Sequence, residues 1–265
     1  MPAEHMSDDL RISRTDGVVT VTLNRPHRKN AITRDGWHEL LTAFRQIAVP
    51  ADRVVVLQGA AEDFCAGADL GADPSAGHKD LADHRQLMRV VGDACLALHR
   101  LPVPTVAKVD GVAVGAGMSL ALACDLVIAT TRSRFSQIFV KRGLSPDFGS
   151  SWFLPRLIGL RRAKELALLG EIVDAQSAEA LGLLHRLVDP AELDEATAAL
   201  VARLRAGPPV ALGATKALLN NAFDVTLQQA LDDEAEAQVI NLGTRDGQEA
   251  RTAFLEKRPA AFEGR

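Results

Sequence analysis

Valine and leucine alternate with threonine from Gly17 to Asn24, the period-2 pattern of a strand with one buried face, and the turn-like Arg25-Pro26 ends it. Thr33 then stands where a helix N-cap belongs. After it Trp37, Leu40, Leu41, Phe44 and Ile47 recur at helical spacing until Pro50. Arg53 to Gly59 is a short apolar run of the kind buried on both faces in a parallel sheet. Glycines and a proline make Phe64 to Lys79 a loop, and a helix follows with Leu81, Leu87, Val90, Val91, Leu96 and Leu98 among its apolar residues. Pro102 to Gly111 and Asp125 to Thr130 read as further strands around an alanine-rich helix at Ala116 to Cys124. From Ser151 onward the pattern is helical apart from one short strand at Leu183 to Asp189.

Strands alternating with helices imply right-handed crossovers and an α/β core. That core is expected over residues 10–187, with a helical C-terminal region over 188–265. The 265 residues are 47% hydrophobic, ample for a globular core. A formal net charge of -4 speaks against a polyanion partner, so no nucleic acid is expected. Cys65, Cys95 and Cys124 are widely spaced, with no paired cysteine or histidine at ligand spacing. They read as buried thiols, and no metal site is expected. No apolar run is long enough to span a bilayer, and the opening MPAEHMSDDL lacks the apolar stretch of a secretion signal. No membrane partner and a cytoplasmic location are the expectation.

Two segments place small residues where a strand hands over to a helix: FCAGADL (Phe64 to Leu70) and DGVAVGAG (Asp110 to Gly117). Small side chains let a ligand approach the backbone, and amides at a helix start carry partial positive charge. Two such amides converging on one oxygen would form an oxyanion hole. The dinucleotide fingerprint fails, since Gly111, Gly115 and Gly117 have the wrong spacing and no acidic residue follows a suitable second strand.

These loops, with RPHRKNAIT (Arg25 to Thr33), GLSPDFGSSWFLPRLIG (Gly143 to Gly159) and AFLEKR (Ala253 to Arg258), resemble in order the segments of the crotonase (enoyl-CoA hydratase/isomerase) family. The resemblance implies a ClpP/crotonase-like spiral of ββα units and an acyl-CoA substrate, with coenzyme A part of the substrate and no separate cofactor. It also implies a homotrimer or a dimer of trimers. It puts the oxyanion donors at the amides of Ala68 and Ala116, and the coenzyme near His27, Arg28, Ala66, Ala68 and Lys29. Phe254 and Lys257 match residues that reach a neighbouring subunit's coenzyme.

The two glutamates that family hydratases use fall at Ser119 and Phe139 here, and neither residue takes a proton from water at neutral pH. Asp147 stands where several branches place their working carboxylate. The local pattern is closest to the phenylacetate-pathway type of enoyl-CoA isomerase, which makes Asp147 a single shuttling base, with Ser119, Phe139, Phe148 and Trp152 around the substrate. A setting of Phe139, Phe148 and Trp152 implies a carboxyl raised by desolvation. An aspartate ahead of Gly-Ser-Ser is equally a good N-cap. His78, His84, Asp80 and Asp83 are weaker acid/base candidates, while Asp69, Asp110 and Asp125 suit backbone turns.

Overall fold

The structure, a computed structural model, describes residues 5–71 and 80–265. Among these, seven strands form one sheet: β1 (His5–Met6), β2 (Leu10–Thr15), β3 (Val18–Leu23), β4 (Val54–Gly59), β5 (Thr105–Val109), β7 (Leu126–Thr130) and β10 (Arg186–Val188). The first three pair antiparallel, and from β3 through β4, β5 and β7 to β10 every pairing is parallel. A smaller sheet holds β6 (Val112–Val114), β8 (Arg134–Ser136) and β9 (Val173–Asp174). The chain therefore supplies a strand to the large sheet, a strand to the small one and then a helix. β5, β6 and α3 (Ala116–Leu122) make one such turn; β7, β8 and α4 (Ser150–Leu169) make the next. The fold is the spiral of ββα units that the resemblance implied.

The apolar run of β4 is divided by its own period of two. Val55 and Leu57 join the main core with Trp37, Leu40 and Phe44 of α1 (Arg34–Arg45) and Val91 and Leu98 of α2 (Leu81–His99). Val54 and Val56 face the other way and pack with Val106 and with Val201 of α6 (Leu193–Ala206). Thr33 caps α1 by accepting the Gly36 amide at 2.9 Å.

β2, β6, β8 and β9 lie outside the strands expected from periodicity. In β2 only Leu10 and Ile12 are apolar and buried, too few alternations to register. Strands of two or three residues carry no measurable period, and β6 falls inside what reads as a glycine loop. β10 lies within the expected Leu183 to Asp189 stretch, preceded by α5 (Ala175–Ala180). After α6 come α7 (Pro209–Asn221), α8 (Leu227–Gly243) and α9 (Arg245–Glu256). α8 buries none of its residues, leaving Leu227, Leu231, Val239, Ile240 and Leu242 in solvent.

Candidate active site

The small sheet is continued by two isolated bridges, Cys65 to Ala113 and Ile32 to Ala68, which lock the glycine-containing loops side by side. Cys65 donates its amide to Val112 and accepts the amide of Val114, at 2.8 and 2.9 Å. The approach is too close for side chains. A Cβ on Gly67 would stand 2.9 Å from the Val114 carbonyl and 3.4 Å from the Ala116 nitrogen; one on Gly117 would overlap the Cys65 carbonyl. Gly67 also holds φ near +96°, a conformation that favours glycine. Among the described residues neither the Ala68 nor the Ala116 amide enters a backbone hydrogen bond. Ala116 opens α3 behind Gly115, so its amide carries helix-terminal partial charge.

Ser119, one turn into α3, is fully buried and donates to the Gly115 carbonyl at 3.1 Å. Phe139 is buried, its ring edge 3.9 Å from where a Gly115 Cβ would lie. Neither side chain holds a free acid or base beside the loops.

Asp147 lies in the turn before α4. Its backbone carbonyl accepts the Ser150 amide, but α4 starts at Gly149 with no side-chain cap, so Asp147 is not spent as an N-cap. Its Oδ1 is buried and has no hydrogen-bond partner. Burial pushes its carboxyl up from 3.8 to about 6. Phe148, held at φ near +46°, stacks on Trp37 of α1 with centroids 5.3 Å apart. That helix follows Ile32, the residue bridged to Ala68. Ser150 Oγ, three residues on, and the side-chain amide of Gln137 are also buried without partners. Gln137 follows Ser136, whose carbonyl accepts the Gly115 amide. Unfilled hydrogen-bonding capacity at Asp147 and Ser150, at the start of α4, suits a ligand or ordered water.

Trp152 is one turn farther along, edge-on to His99 and Phe153, with the Arg156 guanidinium 3.8 Å above its ring. It lines a cavity with Gly92, Cys95, His99, Gly149 and Phe153. Cys95, read from sequence only as a buried thiol, lines that cavity beside Gly149. Burial, with the charge of Asp147 adding to it, pushes its thiol up to about 12. Cys65 and Cys124 are likewise buried, free and pushed up to about 12. A hint was present in α2, where Gly92 and Cys95 stand among larger apolar residues and leave room on one face.

His27 and Arg28 end an exposed 3-10 turn, and Lys29, also exposed, pairs with Asp63 at 3.5 Å. The Lys29 carbonyl accepts the Ala66 amide at 2.9 Å, which ties this cationic turn to the first loop. Phe254 is 81% exposed on α9, and Lys257 caps that helix from solvent; neither packs into the core of its own chain. Asp69, Asp110 and Asp125 serve turns: Asp69 accepts from Arg25 and the Gly71 amide, Asp110 from Gly111, Thr130 and Arg132, and Asp125 from Thr105 and Lys216. Asp80 caps α2 on the Asp83 amide at 2.9 Å, and His84 is exposed. His78 lies outside the described residues. Among the described residues, no helix is long and apolar enough to cross a membrane.

A family model described as enoyl-CoA hydratase/isomerase matches residues 13–265. The chain is 37% identical over 253 residues to the 1,2-epoxyphenylacetyl-CoA isomerase of Escherichia coli K12, covering 94% of this chain and 96% of that one. It is 34% identical over 255 residues to a trans-2-decenoyl-[acyl-carrier-protein] isomerase of Streptococcus mutans, again covering 94% and 96%. The crystal structure of an enoyl-CoA hydratase from Bacillus anthracis superposes with a TM-score of 0.91 at 32% identity, covering 97% of this chain and all of that one. Matches of that extent, on a spiral fold with two abutting glycine loops, establish that this chain is an enzyme of the enoyl-CoA hydratase/isomerase family.

Proposed function

We propose that the enzyme moves a double bond within an enoyl-CoA, with Asp147 as its single acid/base. The observation that carries this reading is the half-buried Asp147, whose Oδ1 is buried without a partner and whose carboxyl is raised to about 6, poised to exchange protons near neutral pH. Asp147 removes a proton from C2 of a 3-enoyl-CoA. The electron pair passes to the thioester oxygen as a dienolate, which the Ala68 and Ala116 amides hold. Asp147 then returns the proton to C4, and the 2-enoyl-CoA leaves. Two-glutamate hydration finds no support, because Ser119 is committed to Gly115 and Phe139 has no ionisable group. The relatives include proteins named as isomerases and others named as hydratases.

Coenzyme A arrives as part of the substrate and no separate cofactor takes part. His27 and Arg28 meet its phosphates beside Ala66. The working unit is a homotrimer or a dimer of trimers in the cytoplasm, in which α8 covers its apolar side chains and Phe254 and Lys257 reach a neighbour's coenzyme. The test is exchange of the C2 protons of 3-enoyl and saturated acyl-CoAs in heavy water. Asp147→Asn is expected to lower exchange and double-bond migration by about a thousandfold while acyl-CoA still binds. Unchanged exchange in that variant overturns the assignment.

A further inference from the structure

Ala68 presents its amide from a loop outside the regular strands and helices. How that amide is held bears on catalysis, an inference that rests on the reading of Ala68 and Ala116 as oxyanion donors. On either side of Ala68 the chain is pinned to one residue. The Gly67 carbonyl accepts the Ile32 amide at 2.8 Å, and the Asp69 amide donates to the Ile32 carbonyl at 2.9 Å. The direction of the Ala68 amide is therefore set by how Ile32 and Asp69 lie relative to each other. Arg25 fastens both: its Nη1 donates to the carbonyl of Ala31, next to Ile32, at 2.8 Å and to Asp69 Oδ2 at 2.7 Å.

The remainder of Arg25 is committed as well. Its Nε pairs with Asp9 Oδ1 at 3.2 Å, and Asp9 Oδ2 accepts the hydroxyl of Thr33, the cap of α1, at 2.5 Å. The Arg25 carbonyl accepts the amides of Arg28 and Asn30 at 2.9 Å each, while its own amide donates to Asn30 Oδ1 at 3.0 Å. The side chains of Arg25, Asp9 and Asp69 are only 14%, 15% and 8% exposed, so this cation stands between two carboxylates largely out of water. Removing one partner from such a cluster is far more damaging than breaking a surface pair. Burial by itself raises the Asp69 carboxyl, but the Arg25 guanidinium and the Gly71 amide outweigh it and hold it below its usual range. A guanidinium suits the task because its planar fork fixes the angle between the groups it binds.

We propose that Arg25 is a positioning residue for the reaction, setting the Ala68 amide through Asp69 and Ala31 so that it converges with the Ala116 amide on the thioester oxygen. It acts through those two residues and not by touching the substrate. The demand is strict, since a catalytic donor has to be held within about 0.5 Å of its productive place.

The test reads the carbonyl itself. Infrared difference spectra of butyryl-CoA labelled with carbon-13 at C1, bound to the intact enzyme, report how strongly its C=O bond is polarised. C2-proton exchange in heavy water is followed on the same ligand. Wild type should lower the carbonyl frequency relative to the free ligand. Arg25→Met is expected to abolish at least about half of that shift and to slow exchange by about a hundredfold, the scale of losing one oxyanion donor. Butyryl-CoA should still bind within about threefold of wild type, because the lost interaction belongs to the transition state. Where Arg25→Met does not fold, Asp69→Ala, in which Asp9 still neutralises Arg25, carries the same expectation. A folded variant with the wild-type shift and wild-type exchange overturns the proposal, as does slowed exchange with the carbonyl shift intact. Wild type that binds butyryl-CoA without shifting its carbonyl overturns the oxyanion reading itself, and the role of Arg25 with it.

Discussion

Helices α3 and α4 both begin behind a glycine at positive φ and both lack a side-chain cap, yet they handle polar groups in opposite ways. All seven residues of α3 are buried, and its one polar side chain, Ser119, spends its hydroxyl on the Gly115 carbonyl. At the start of α4, Asp147 Oδ1 and Ser150 Oγ are buried with nothing to bond. A buried polar atom without a partner costs on the order of 1–3 kcal/mol. The first helix is therefore scaffold that presents a backbone amide, and the second keeps a destabilised group whose unspent capacity suits a reacting substrate.

The sharpest way to break the contrast is to spoil the scaffold. Gly117→Ala forces a methyl group into the space of the Cys65 carbonyl, where backbone has to give way. We expect a loss of about 3 kcal/mol in denaturant unfolding, as for an overpacked core, together with loss of activity as the two loops separate. A Gly117→Ala enzyme of wild-type stability would show that the loops do not depend on that approach.

An intermediate effect is expected from titrating Asp147. Its folded carboxyl sits at about 6 and the ordinary value is 3.8, so the native state binds the proton more tightly than the unfolded chain. Stability is then greatest at low pH with respect to this group. It falls as pH rises from about 4 to 6 and levels off above, by about 3 kcal/mol in all. Subtracting the Asp147→Asn profile from wild type in chemical denaturation isolates this component. A flat difference would mean that the carboxyl is not desolvated. The smallest effect belongs to Ser119→Ala, which removes a hydroxyl bound to a carbonyl that already accepts the Ser119 amide. A change under about 1 kcal/mol is expected, with exchange rates within about threefold of wild type. A loss near that of Asp147→Asn would move Ser119 into the chemistry.

Much of this arrangement is legible in the chain. The alternation of Val19, Val21 and Leu23, the cap at Thr33 and the apolar β4 are local signals, set by side-chain period and backbone donors within a few residues. The two glycine loops are equally local. β2 and the small-sheet strands are not visible there, because two buried residues or a three-residue span carry too little period.

By itself the sequence determined strands alternating with helices, a helical end and two small-residue loops at strand-to-helix turns; its family resemblance added the spiral of ββα units and an aspartate where relatives keep a working carboxylate. Periodicity and turn chemistry are properties of neighbouring residues, so they survive without coordinates. Only the tertiary structure decided that Asp147 is an unpartnered acid and not a helix cap, that Gly149 packs against Cys95 of α2, and that Val201 of α6 closes the second face of the sheet. Those outcomes turn on burial and on the absence of a hydrogen-bond partner. Both depend on which distant segments pack together, and no local pattern records that.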